Sequence, residues 1–184
     1  KYQMSSGSGI PQVKGQLQGY FKNNWFTTAF AKFIAGTLAM FAGLSLGREG
    51  PSVQLGASMG QMVSSRLAET ERHKRILIAS GASAGLSAAF NAPLSGVMFT
   101  LEEVFKYFSP LILLTCMTSA MVADMVARIM FGSGPVFHFQ IVGSIELSNY
   151  WLLIILGIIL GFFGAFYNWT PLTSQNLMKK IKSP

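Results

Sequence analysis

The chain has 184 residues, 51% of them hydrophobic and only 11% charged, with a formal net charge of +7. Soluble domains carry about 25% charged residues, so a chain this apolar and this poor in charge belongs in lipid rather than in water. The basic residues Lys14, Lys22, Arg66, Arg72, Lys74 and Arg75, with Lys179, Lys180 and Lys182 near the end, stand at segment ends and in loops. They read as headgroup anchors and lack the aromatic-interleaved basic face of a nucleic-acid binder, so no nucleic-acid partner is expected.

The first residues, Lys1-Tyr-Gln-Met-Ser-Ser-Gly7, have no apolar core and no initiating methionine. They are not a signal peptide, and residues 1–184 read as one partial transmembrane domain, truncated at both ends. Gly7-Ser-Gly-Ile-Pro11 introduces a helix, because proline suits a first turn. Trp25 to Leu46 is an apolar stretch near the roughly 20 residues that a spanning helix needs, interrupted by Lys32. A shorter, glycine-rich segment covers Pro51 to Ser65, and the charged Arg66–Arg75 stretch reads as a loop. Ile76 to Phe90 is apolar again and halts at Asn91-Ala-Pro93, from which a short helix is predicted to run to about Val104. Pro110 to Phe131 is a full-length span carrying Asp124 and Arg128. Residues Gly132 to Ser148 are rich in Gly, Pro and polar groups and read as a loop. Tyr150 to Trp169 is a clean span with aromatic residues at each end. The expected fold is therefore all-α: a polytopic membrane protein with tilted and broken helices.

Several segments are too short to cross a bilayer alone, and irregular backbone survives at membrane depth only when it is buried in protein or lines a cavity. Broken helices in pairs point to a transporter's substrate site. Glycines four apart at Gly56/Gly60, Gly81/Gly85 and Gly157/Gly161 would let helices approach closely. The lone Cys116 permits no internal disulfide and reads as a small buried apolar residue.

Glu49 is the most informative residue. It lies in Ser45-Leu-Gly-Arg-Glu-Gly-Pro-Ser-Val53, between apolar stretches, and is expected to be a carboxylate buried at membrane depth. Ionisable groups there are costly and mark pathways or proton sites. Gly50 and Pro51 predict a helix start beside it, whose amides and dipole can hold an anion. The carboxylate can occupy the same place itself. An adjacent anion and a low dielectric disfavour its charge, while the helix end and Arg48 favour it, so its ionisation can follow anion occupancy. Ser8, flanked by glycines at the other helix start, offers a neutral donor to an anion; as plain structure it is a serine cap.

Gly7-Ser-Gly-Ile-Pro11, Gly47-Arg-Glu-Gly-Pro51 and Asn91-Ala-Pro-Leu94 followed by Glu102-Glu103 together resemble, in order and spacing, the signature set of the CLC family of chloride channels and proton-coupled chloride transporters. The resemblance covers essentially the whole chain. It implies the first half of an inverted-repeat fold plus the first helix of the second half. It also implies chloride binding by Ser8, Gly9, Ile10, Arg48, Glu49 and Gly50, gating and proton transfer at Glu49, and an inner proton relay at Glu103. Because many family channels are apolar at that position, Glu103 favours a chloride/proton antiporter over a passive chloride channel of the same family. Lys32 resembles a lysine of the corresponding family helix, and Gln12 departs from the glutamate that many members carry there, a change expected to matter little. The family's later anion loop and its tyrosine are not in this sequence. A homodimer with contacts near Pro93–Val104 and Pro110–Phe131, a bacterial plasma (inner) membrane and no cofactor beyond the transported chloride and proton complete what the resemblance implies.

The plainer readings are structural. Glu49 could pair with Arg48, Glu102 and Glu103 could be helix-end residues, Lys32 could snorkel to headgroups, and Asp124 could pair with Arg128 one turn on. His73 and His138 have no metal-ligand partner at useful spacing. An enzymatic reading, with Glu49 or Glu103 as base, lacks a nucleophile elbow, a zinc motif or a histidine near either acid.

Overall fold

The structure is a computed structural model that describes residues 7–21, 23–44, 47–132, 134 and 147–181. Lys22, His138, Lys182 and most of the expected 132–148 loop lie outside those residues. Seven α-helices occur among the described residues: α1 (Ile10–Leu17), α2 (Trp25–Phe41), α3 (Glu49–Leu67), α4 (Glu71–Phe90), α5 (Pro93–Phe99), α6 (Pro110–Phe131) and α7 (Trp151–Ile181). A π-helical turn, Thr100–Phe105, continues α5, and a 3₁₀ turn, Leu147–Asn149, precedes α7. The chain divides into a unit over Lys1–Phe137 and a second over His138–Pro184.

The first unit is built on a hairpin. Helices α3 and α4 run antiparallel, and four glycines let their backbones touch. A Cβ on Gly56 would lie 2.2 Å from the Gly81 carbonyl oxygen, one on Gly60 would lie 2.3 Å from that of Leu77, and one on Gly85 2.2 Å from that of Ser52. The expected close approach is present at Gly56/Gly60 and Gly81/Gly85; nothing packs against Gly157 or Gly161 on α7.

Helix α4 is central. One side buries Ile78, Ala79, Ala82 and Leu86 against Val13 and Leu17 of α1 and Val53 and Ala57 of α3. Its other side places Ile76 in a cluster with Val97, Leu101, Ile112, Cys116 and Ala120. Helix α6 runs alongside in the same direction, with Ser80 Oγ 3.8 Å from Cys116 Sγ and Ser87 Oγ donating to the Ala120 carbonyl at 2.9 Å. Cys116 is fully buried, as a small apolar residue should be.

Several boundaries differ from the sequence reading. The charged stretch expected as a loop is helical from Glu71 onward. Thr70 caps that helix by accepting from the His73 amide at 3.2 Å, with Glu71 in the first turn, and a capped, acidic first turn is favourable whatever its polarity. Helix α2 stops at Phe41, short of Leu46, and the chain then passes through Gly43 at φ 73°. Helix α5 becomes a π turn before Val104, ended by Lys106 in the left-handed region at φ 59°. Helix α6 spans Pro110–Phe131 as expected. In the second unit, α7 runs past Trp169 and through Pro171 to Ile181.

Helices α6 and α7 include stretches long and apolar enough to cross a bilayer, Pro110–Phe131 and Trp151–Ser174. Phe26, Phe30, Phe33, Leu38 and Phe41 on α2 are exposed, which is the expected face of a helix solvated by lipid.

Candidate functional site: two facing helix starts

Two helix N-termini from distant parts of the sequence meet. Helix α1 begins after Gly7-Ser8-Gly9, where both glycines have positive φ, 77° and 105°, a region side chains strongly disfavour. Helix α3 begins at Glu49 with Arg48 before it. The contact between them is backbone on backbone. A Cβ on Gly50 would stand 1.8 Å from the Ser8 carbonyl oxygen and 2.7 Å from Ser8 Oγ, and one on Gly9 would stand 2.7 Å from the Gly50 carbonyl oxygen. Only glycine fits at either position. The Ser8 hydroxyl, Gly9, Ile10 and the Arg48–Glu49–Gly50 turn are thereby brought into one neighbourhood.

Glu49 itself is exposed rather than buried, which corrects the expectation from sequence. It occupies the first helical position, where side chains lean toward the N-terminus and off the packed face, and it opens on a cavity of about 430 Å³ shared with Leu86, Phe90, Ala92, Ser95 and Phe99. It does not pair with Arg48. The Arg48 guanidinium lies over the Phe90 ring, 5.2 Å from its centroid, a cation–π arrangement. The ion pairs among the described residues are Lys14–Glu103, Lys74–Glu71 and Arg128–Asp124.

Glu102 and Glu103 are exposed on the π turn, and Glu103 meets Lys14 of α1 at 3.3 Å. A solvent-accessible pair of this kind contributes at most about 1 kcal/mol, so it orients the carboxylate more than it stabilises the fold. Glu103 is not part of the Ser8–Gly50 contact. Asp124 is paired with Arg128 at 2.7 Å, one helical turn away, and Arg128 also donates to the Asn91 carbonyl at 3.3 Å. The structural reading of that pair holds.

Two residues outside the predicted set of site residues reach the site. Lys32 does not snorkel: it is 6% exposed, and its Nζ donates to the Gly7 carbonyl oxygen at 2.6 Å. Burying an ammonium requires such a partner, and a glycine-rich loop with a bare carbonyl supplies it. Gln12 is also placed to matter, because its Oε1 accepts the Gly9 N–H at 3.0 Å. The glutamine stands three residues after the residue preceding the helix, the spacing of a reciprocal cap, and that spacing was the signal for it.

The arrangement offers a hydroxyl donor and the positive ends of two helices at one place in an otherwise apolar protein, with Glu49 adjoining in the chain and its side chain opening on the neighbouring cavity. Such a cradle is chemically suited to a small anion. The fold and the site together define a polytopic helical membrane protein with interrupted helices.

The family model described as voltage gated chloride channel matches residues 1–184, and the chain belongs to that family. It is 36% identical over 182 residues to an H(+)/Cl(−) exchange transporter, ClcA, of Salmonella arizonae, covering 96% of this chain and 38% of that protein. The same transporter of Salmonella paratyphi B is 37% identical over equal coverage. Among solved structures, a slow cyanobacterial Cl−/H+ antiporter superposes with a TM-score of 0.81 at 37% sequence identity, over 89% of this chain and 39% of that one. The chain thus spans a little over a third of the relatives it matches. The protein is an integral membrane protein of all-α, CLC-type fold.

Proposed function

We propose that the protein of which these residues form part moves chloride across a membrane in exchange for protons. The observation that supports this reading is the contact of Ser8 with Gly50, which brings two helix N-termini together beside Glu49, the residue that begins the second of them. Ser8, Gly9, Ile10, Arg48 and Gly50 form the anion cradle on the side of these residues. The Gly9 N–H is already engaged by Gln12, so Gly9 contributes shape and positive helix-end potential rather than that hydrogen bond. Glu49 is the gate. Charged, it competes with chloride for the helix ends; protonated, it leaves them and carries the proton with it. Glu103, held by Lys14 of α1, is the inner proton relay. The exchange-transporter relatives and the antiporter neighbour support coupling over passive flow.

Residues 1–184 are then one part of a larger transmembrane domain. The protein works as a homodimer in a bacterial plasma membrane, a placement supported by the Salmonella relatives.

The deciding experiment is reconstitution of the full-length protein in liposomes under an inward chloride gradient, with external pH recorded. Uphill proton movement that stops on dissipating the chloride gradient is the expected result. In Glu103→Val, proton movement should cease while chloride still passes. Chloride flux with no proton movement in the unaltered protein would instead make it a passive channel.

A further inference from the structure

The Gly7–Ser8–Gly9 loop is conformationally the freest type of backbone, because glycine gains no φ restriction from a side chain. Its geometry must therefore be imposed from outside. Two side chains from different helices do so at its two ends. At Gly7, the buried Lys32 of α2 donates a charge-assisted hydrogen bond to the carbonyl at 2.6 Å. At Gly9, the Gln12 carboxamide of α1 accepts the N–H at 3.0 Å. Ser8 lies between these two bonds, with its carbonyl and hydroxyl against Gly50.

We infer that Lys32 and Gln12 are positioning residues, clamping the two ends of the Gly7–Ser8–Gly9 loop and so fixing where the Ser8 hydroxyl is presented to an anion. Neither is assigned to the cradle itself. Lys32 directs one N–H of its ammonium to a backbone carbonyl, and the neutral carboxamide of Gln12 takes up the amide hydrogen without setting a negative charge beside the anion. The inference rests on the reading of Ser8 as an anion ligand given above, and it deepens that reading by naming what sets the ligand's geometry.

The test uses the full-length protein and two readouts. Hydrogen–deuterium exchange over residues 7–12 reports the loop whether or not it binds an anion. Lys32→Met and Gln12→Leu keep side-chain bulk but remove the donor or the acceptor, and each should raise exchange of that segment by about tenfold, the scale of one hydrogen bond to a charged or partly buried group. Lys32→Arg and Gln12→Glu, which retain donor and acceptor, should return it toward the unaltered rate. Liposome flux measured against chloride concentration is the second readout. The same two disruptive variants should raise the half-saturating chloride by about tenfold and flatten chloride-over-nitrate preference, with a smaller loss of maximal flux; Lys32→Arg should restore both, whereas Gln12→Glu, which sets a charge beside the anion, should restore exchange protection alone. Ser8→Ala is the control that separates the claims. Unchanged exchange in folded Lys32→Met and Gln12→Leu overturns the clamp outright. If Ser8→Ala shifts selectivity and the clamp variants do not, the clamp is again overturned while the assignment of Ser8 stands. If Ser8→Ala is itself silent, the assignment of Ser8 fails and takes the clamp's role in anion selection with it.

Discussion

Glu49 and Ser8 belong to facing helix ends, and in the proposed function their chemistry divides the work between them. A hydroxyl donates to an anion at any pH, whereas a carboxylate either competes with the anion or yields to it according to its proton. Glu49→Gln removes that choice while keeping shape. Proton movement should therefore fall by about two orders of magnitude, the scale at which a positioned proton-transfer group acts, with chloride flux retained. Proton coupling that survived in liposomes containing this variant would remove Glu49 from the mechanism. The motif residues were legible because each has an unusual composition for its surroundings: a carboxylate and an arginine between apolar stretches, and a serine between glycines. Lys32 and Gln12 were less legible, since their importance lies in which carbonyl and which amide they reach. Glu49's exposure was missed for a related reason. Neighbouring apolar residues in sequence do not determine what lies in front of a helix's first turn.

At the scale of elements, the α3–α4 hairpin does most to place the site, because it fixes the axis along which Gly50 meets Ser8. Its glycines were read correctly from spacing alone, but the same spacing on α7 packs against nothing in the second unit. Spacing reports which residues share a helical face; it does not report whether a partner covers that face. The two cases give a matched comparison. Gly81→Ala would drive a methyl group to 2.3 Å from the Gly56 carbonyl oxygen and should cost about 1–3 kcal/mol through overpacking, seen as a lowered unfolding temperature in detergent. Gly157→Ala, with nothing within 4 Å of the added carbon, should leave stability unchanged or raise it by up to about 1 kcal/mol through helix propensity. Equal effects at the two positions would contradict the packing argument. The charged start of α4 was misread because polarity was weighed above capping. Thr70 followed by Glu71 is a helix start even in a run of arginines and lysines. The π turn at Glu102–Glu103 had no sequence signal; it carries Leu101 into one core cluster and Val104 into the other, a division that only packing decides.

At the scale of the whole molecule, the exposed apolar faces need either lipid or protein to cover them. On α6, Leu114, Met121 and Met125 are exposed at helical spacing along one side, and this helix was expected to contribute to a homodimer. Leu114→Cys in the full-length protein should give a covalent dimer with a short thiol-reactive cross-linker in lipid. The native Cys116 is fully buried and should not react. A folded variant that remains a single-chain species would remove α6 from the interface. Sequence alone determined the membrane class, the order of helices, their proline-marked starts and the candidate anion residues, because apolar length, first-turn prolines and glycine-flanked polar groups are properties of neighbouring positions. Tertiary structure decided that residue 8 touches residue 50, that Lys32 reaches Gly7 and that Lys14 reaches Glu103. Those contacts join side chains and backbone many residues apart, and they depend on the path that helix packing gives the chain.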